Sequence, residues 1–266
     1  ARNLSKIARS KDIPTLTSLF DLKAAKRIVK KFDRADAITA TNVIAHIDNL
    51  HSVLEGVSHL LTPHGLFVTE FPYLMDLIEK NQFDTIYHEH LSYFSLKPWL
   101  RLVETYGFKI KEAQRLLIHG GSIRLTHGRD ESSKNQGKNV VDYLISLEEK
   151  AGLYEMKSYK KFAKKVEKVR DELITMLKRI EKEGKKVVGY GAAAKGNVLT
   201  NFAGIGNNIL DYIVDSTPLK HGLFTPGKHI PIYPEEKLIA DMPDYALIFP
   251  WNFADEIIEK QKQFRK

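Results

Sequence analysis

The sequence predicts an α/β protein of two lobes, the second smaller than the first, joined by long helices. Two observations carry the class: apolar β-branched runs alternate with helical stretches in residues 1–130, and the same alternation resumes in residues 184–266. Such a pattern builds parallel sheets covered by helices on both faces. A third observation sets the boundary, because residues 131–183 read as a helical connector. The length of 266 residues leaves room for two cores, a typical domain being ~150 residues.

Ala1 to Lys11 is basic and amphipathic, a combination shared with transit peptides but better explained as a helix of the fold. Ile13-Pro14-Thr15-Leu16 then reads as a strand, Leu22 to Phe32 as a helix and Ala37-Ile38-Thr39 as a second strand. Ser52 to Leu61 forms a further helix closed by Pro63 and Gly65, and Leu66 to Phe71 a third strand ended by Pro72. Gly107 to Leu117 and Ser122 to Thr126 pair as an antiparallel hairpin about the turn His119-Gly120-Gly121. From Val140 to Glu183 the chain is helical, with Phe162, Val166, Val169, Leu173, Met176 and Ile180 at spacings of three and four forming one buried stripe beneath a Lys-rich outer face. Gly184 stops that helix, and strands at Lys186 to Gly191, Ile209 to Val214 and Tyr245 to Phe249 build the second lobe. A doubly wound nucleotide-binding half opens with strand, glycine-rich turn and helix. No such turn precedes Ile13, so the first lobe either has an unusual topology or is truncated at its N-terminus, and truncation is the expectation.

Composition excludes several classes. Hydrophobic residues at 43% and charged ones at 28% are globular values, and no apolar run approaches the ~20 residues of a membrane span. There is no cysteine, so disulfides and thiolate metal sites are excluded within this chain. The net charge of +8 is concentrated: residues 151–186 carry 12 Lys/Arg against 6 Asp/Glu. That places the excess on one helical face, which speaks for a solvated helix and against a nucleic-acid partner.

The densest polar cluster runs from Asp84 to Ser95 and follows the third strand of the first lobe. Its Tyr87, His88, Glu89, His90 and Tyr93 offer a base, an orienting carboxylate and phenolic donors, the set needed to take a proton from a carbon beside a carbonyl. Two readings compete with it: a metal site on His88 and His90 with His46 as third ligand, and a loop whose His and Tyr merely satisfy buried backbone groups. Thr41, Asn42 and His46, at the end of the second strand, face a cofactor or substrate, or else cap a turn. His119, Ser122 and Arg124 offer an anion a guanidinium and turn N–H groups, or form an ordinary hairpin turn. In the second lobe Gly191, Lys195, Gly196 and Asn197 resemble a phosphate cradle at a helix start. Asp215 is the acid that a nicotinamide fingerprint wants for a ribose. Lys220 and Trp251 stand in two further strand-end loops.

Taken together, TNVIAH from Thr41 to His46, EFPYL, DTIYHEHLSYFSL, HGGSIR, GYGAAAKGN, VDSTPLKHG, IPI and PWNF resemble the S-adenosylmethionine-dependent sugar C-methyltransferases that act on nucleotide-linked ketosugars in deoxysugar biosynthesis. That family has a cysteine-rich zinc module, a Rossmann-like methyltransferase domain and a C-terminal Rossmann-like domain contributing to nucleotide-sugar binding. The resemblance covers nearly the whole chain but begins at about the second helix. It implies a methyltransferase domain incomplete at its N-terminus in residues 1–130 and a nucleotide-sugar-binding domain in residues 184–266. It further implies S-adenosylmethionine bound near Thr41 and Asn42, and a nucleoside-diphosphate 4-ketosugar bound by His119, Ser122, Arg124, Gly191, Lys195, Gly196, Asn197, Asp215, Lys220 and Trp251. His90 is then the base, Tyr87 and Glu89 stand beside it, and His46 serves as proton relay or enolate stabiliser. No metal, nucleic acid or membrane takes part in this expected cytoplasmic enzyme. An NAD(P)-dependent oxidoreductase and a noncatalytic nucleotide-sugar-binding protein are the alternatives.

Overall fold

The computed structural model describes residues 2–129 and 136–264. Its elements in chain order are α1 (Arg2–Arg9), α2 (Leu22–Phe32), β1 (Ala35–Thr41), α3 (Leu50–Leu60), β2 (Leu61–Pro72), α4 (Leu74–Glu79), α5 (Leu96–Glu104), β3 (Lys109–Leu116), β4 (Ser122–Gly128) and α6 (Gln136–Lys150). There follow α7 (Met156–Lys182), β5 (Val187–Tyr190), α8 (Ala194–Ala203), β6 (Ile213–Val214), β7 (Ile232–Tyr233), α9 (Glu236–Asp241), β8 (Tyr245–Ile248) and α10 (Ala254–Lys260). They divide into two units: Ala1–Leu74 with Leu91–Ala151, and Met75–His90 with Gly152–Lys266.

The first unit is built on a sheet of order β1-β2-β4-β3. β1 and β2 are parallel, while β4 pairs antiparallel with both β2 and β3. Side chains start the flanking helices: the Asp21 carboxylate accepts the Ala24 N–H at 2.6 Å before α2, and the Asn49 amide oxygen accepts the Ser52 N–H at 3.0 Å before α3. The core holds a three-ring cluster of Phe71, Phe94 and Trp99, with centroids 4.7 to 5.1 Å apart. Beside it the buried Trp99 indole N–H donates to His127 Nε2 at 2.9 Å, and His127 Nδ1 meets the Phe67 carbonyl at 2.9 Å.

The second unit carries an all-parallel sheet of order β7-β6-β5-β8. β5 is buried throughout, as a strand covered on both faces must be. One core cluster gathers Leu177, Ile180, Val187, Ile213 and Phe249, and another Val188, Tyr190, Tyr212, Val214 and Leu238. Strand order reverses at β5, placing β6 on one side and β8 on the other. At such a switch point the loops part and leave a crevice at the carboxyl ends of the strands.

Several local expectations are corrected. Residues 13–16 form no strand; Pro14 has no N–H to give, and the Thr15 carbonyl instead accepts the Arg9 guanidinium at 3.1 Å. Helix α3 ends at Leu60 and β2 begins at once. Pro63 and Gly65 fall between the paired positions Leu61 and Leu66, where the ladder shifts register and no N–H is required. The single helix expected from Val140 to Glu183 is two, α6 and α7, parted at Gly152 with φ +68°. Along α7 the stripe is only partly buried: Val166 and Ile180 are inside and Leu177 joins them, whereas Val169 and Met176 are exposed. Gly184, also at φ +68°, ends α7 as expected. The strand expected from Ile209 shortens to Ile213–Val214, because residues 206–210 turn, with the Ile209 N–H on the Gly206 carbonyl. Strand β7 was not foreseen; two residues beside Pro231 show no period. Residues 75–90, which sequence order places in the first lobe, belong to the second unit. There Phe83 lies against Phe202 of α8, with ring centroids 5.6 Å apart.

Candidate functional site

The second unit gathers most of the chemistry. Residues 83–90 form a short helical turn and a bend whose hydrogen bonds close on themselves. The Thr85 N–H and hydroxyl both donate to the Gln82 carbonyl, at 3.2 and 2.7 Å, and the Ile86 N–H donates to the Phe83 carbonyl at 2.9 Å. His90 folds back over this turn, with Nδ1 2.7 Å from the Thr85 carbonyl. A carbonyl can only accept, so Nδ1 carries a proton, and in the neutral form of the ring the lone pair is on Nε2. Nε2 lies 3.4 Å from the Tyr87 hydroxyl, and the two ring centroids are 4.4 Å apart. Burial, with the Glu89 charge adding to it, pushes the Tyr87 phenol above its ordinary range. Tyr87 is therefore a neutral donor at physiological pH. His90, Tyr87 and Glu89 thus stand in one turn, Glu89 on its exposed side.

Asp84, in the same turn, was not singled out by sequence reasoning. Its buried carboxylate accepts the Trp251 indole N–H at 2.7 Å. The Lys195 ammonium sits 4.4 Å above the Trp251 ring and donates to Asn252 Oδ1 at 2.9 Å. Burial holds Lys195 below the usual lysine range although Asp84 pulls the other way, and burial likewise raises the Asp84 carboxyl against its bond to Trp251. Two predicted ligands, Lys195 and Trp251, are therefore brought together, with Asp84 and Asn252 as partners.

Gly191, Asp215 and Lys220 form a second group. Gly191 has φ +87°, and a Cβ there would stand 2.6 Å from the Pro250 ring, so only glycine fits the turn from β5 into α8. Gly196 faces Phe249, which a Cβ would meet at 2.8 Å. Its smallness serves helix-to-sheet packing, a role distinct from the phosphate contact expected of it. Asp215 Oδ2 accepts the Ala192 N–H at 2.7 Å and Lys220 Nζ at 3.0 Å, while Oδ1 accepts the Thr217 N–H at 2.8 Å. Burial works to raise the Asp215 carboxyl, but these donors outweigh it and hold the carboxyl below its ordinary range. The carboxylate thus ties the turn from β5 into α8 to the loop that follows β6. Lys220 also donates to the Ala192 carbonyl at 3.0 Å. Asn197 begins the second turn of α8, its N–H on the Ala193 carbonyl at 3.1 Å. A cleft of about 340 Å³ opens beside this group, and its lining includes Asp215, Glu235 and Glu256 with Lys260.

In the first unit Thr41, Glu70 and Arg124 are register partners across β1, β2 and β4. The Arg124 guanidinium makes two contacts with buried Glu70 Oε2, at 2.7 and 2.8 Å. Sequence reasoning missed Glu70, and the pair shows that Arg124 has a protein partner before any anion arrives. Asn42 follows with φ +51° and its N–H on the Glu70 carbonyl at 2.8 Å. His46 is exposed and closes a short helical turn on the same loop. His119 is exposed with φ +54° in the hairpin turn. Ser122 is buried and donates to the Ile118 carbonyl at 3.3 Å, as the ordinary-turn reading requires. Among the described residues no group of three His, Asp or Glu side chains is disposed to hold a metal ion, and no helix is long and apolar enough to cross a membrane.

A family model described as the C-methyltransferase C-terminal domain matches residues 117–266, and one described as a methyltransferase domain matches residues 3–113. The C-methyltransferase NovU of Streptomyces niveus is 36% identical over 264 residues, covering 99% of this chain. The chain spans 63% of the length of that curated relative. Of solved structures, an S-adenosylmethionine-dependent methyltransferase of Anabaena variabilis aligns at a TM-score of 0.34 and 11% identity, over 44% of this chain and 58% of its own. A protein of Pyrococcus horikoshii aligns at 0.33 and 15% identity, over 48% and 66%.

Proposed function

This chain belongs to the C-methyltransferase family and has a mixed α/β, Rossmann-like fold, and on that premise we propose that it methylates carbon on a nucleotide-linked 4-ketosugar in deoxysugar biosynthesis. The observation that carries the reading is His90, whose Nδ1 meets the Thr85 carbonyl and whose Nε2, the basic nitrogen of that tautomer, faces the Tyr87 hydroxyl. A ketone acidifies the proton on the adjacent carbon. His90 Nε2 takes that proton, the C–H electron pair moves into the ring carbon–carbon bond, and the carbonyl electrons move onto oxygen to give the enolate. Tyr87, neutral and beside Nε2, donates a hydrogen bond toward the charge that develops. Lys195 and Trp251 serve the nucleoside diphosphate, the first as a cation on phosphate.

Thr41 and Asn42 are the residues assigned to S-adenosylmethionine. They stand at the carboxyl end of β1, where open α/β sheets hold ligands, and would offer it a hydroxyl and an amide. When bound, the cofactor supplies an electrophilic methyl group for the enolate carbon.

The test separates proton removal from methyl transfer. A thymidine-diphosphate 4-keto-6-deoxysugar is incubated with the protein in deuterated buffer without cofactor, and exchange beside the ketone is followed by NMR. His90→Asn is expected to slow exchange by at least about tenfold while thymidine diphosphate still binds in calorimetric titration. Wild-type exchange in that variant reassigns the base. Selective binding of NAD over thymidine diphosphate and S-adenosylhomocysteine overturns the proposal and favours the oxidoreductase.

A further inference from the structure

His90 has its reactive tautomer only while the Thr85 carbonyl stays in place, so whatever fixes Thr85 acts on the base. Thr85 belongs to a turn of a few residues closed by its own hydrogen bonds to Gln82 and Phe83, and such a turn moves as one piece. Phe83 and Asp84 anchor it to the rest of the second unit. Phe83 packs on Phe202 of α8, a contact that resists sliding weakly because it has no direction. Asp84 accepts the Trp251 indole N–H at 2.7 Å, linking positions 167 residues apart. This bond is directional and partly buried, and on the Asp84 side a carboxylate at 7% exposure is costly to keep without such a partner.

We propose that Asp84, through its hydrogen bond to Trp251, is a positioning residue that sets the tautomer and orientation of His90. The inference rests on the reading of His90 as base. Asp84 touches no reacting atom in this account. It holds the residue next to it, whose carbonyl selects the Nδ1–H form and leaves Nε2 unprotonated. With the tether cut, the turn relaxes, the Thr85 carbonyl drifts from Nδ1, and the two neutral tautomers of His90 mix. A base that spends part of its time protonated on Nε2 and part misaligned loses rate without losing substrate.

The experiment combines nitrogen-15 NMR of the imidazoles with the deuterium-exchange assay above, on the intact protein. The His90 signals are identified by their loss in His90→Asn. Wild-type protein is expected to show the Nδ1–H tautomer. Asp84→Ala and Trp251→Phe should each mix the tautomers and lower kcat for exchange about ten- to a hundredfold, and Asp84→Ala should do so with KM within about threefold of wild type. Trp251→Phe keeps an aromatic face under Lys195 and removes only the donor, so it reports the tether even where Asp84→Ala folds badly. The double variant should be no slower than the slower single one, since both remove the same bond. Asp84→Asn, which retains an acceptor, should recover the tautomer and most of the rate. A wild-type tautomer in both Asp84→Ala and Trp251→Phe, with His90→Asn inactive, overturns the tether and leaves the base intact. Wild-type exchange in His90→Asn instead overturns the base reading and the catalytic part of this inference with it.

Discussion

Gly191 shows how narrowly single residues are chosen in the turn that opens the second unit. Its φ of +87° and the Pro250 ring 2.6 Å from the would-be Cβ make two separate objections to any side chain. Gly191→Ala is expected to cost about 1–3 kcal/mol, read as a lower urea midpoint with an unchanged slope. Lys195 and Lys220 are both cations at strand ends, but their partners differ. Lys195 rests on Trp251 and Asn252, whereas Lys220 is held by the Asp215 carboxylate and the Ala192 carbonyl. Lys195→Ala is therefore expected to weaken thymidine diphosphate binding by about tenfold or more with little change in melting temperature. Lys220→Ala should chiefly destabilise the fold. Calorimetric titration and thermal melts on the two variants check both, and unchanged affinity in Lys195→Ala removes that residue from the site.

Strand β4 illustrates the element scale, because it carries a histidine into the core. Burial lowers His127 from 6.5 to about 4, its bond to the Phe67 carbonyl opposing only in part. The folded form thus refuses a proton that the unfolded chain accepts. Stability is complete above pH 6.5 and falls as the pH drops toward about 4, by ~3 kcal/mol in all. Asp215 behaves as a depressed acid: its contribution holds above its ordinary value of 3.8 and is lost only as pH falls below that, through the folded value. Melts between pH 7 and pH 3 should accordingly show an early loss that His127→Gln flattens and a later one that it leaves alone. The loop at the end of β6 shows the same economy of partners, with one carboxylate joining Ala192, Thr217 and Lys220.

At the scale of the molecule there are two units, each with its own sheet and core. Thymidine diphosphate at about 100 times its Kd should stabilise the unit that binds it by about 2.7 kcal/mol, visible in scanning calorimetry as a shift confined to the transition that Gly191→Ala lowers. Much of this architecture was legible in the sequence, since periods of 2 and 3.6 are written within one strand or one helix. The α/β class, the hairpin before and after His119, the helix stop at Gly184 and the strand-to-helix turn at Gly191 all follow from such local signals. The meeting of Tyr87 with His90, three positions apart, is one that the family resemblance implies. What the sequence did not disclose are partners. Glu70 and Arg124 lie 54 positions apart, Asp84 and Trp251 167, and no period connects them. Residues 75–90 left the unit that precedes and follows them in the chain for the unit that offers Phe202 and Trp251. That choice depends on which buried surfaces complement each other after the elements exist. Sequence alone therefore determined most of the elements and the residue types of the candidate site, and the tertiary structure decided which of them hold one another in place, because local conformation is encoded locally and packing is not.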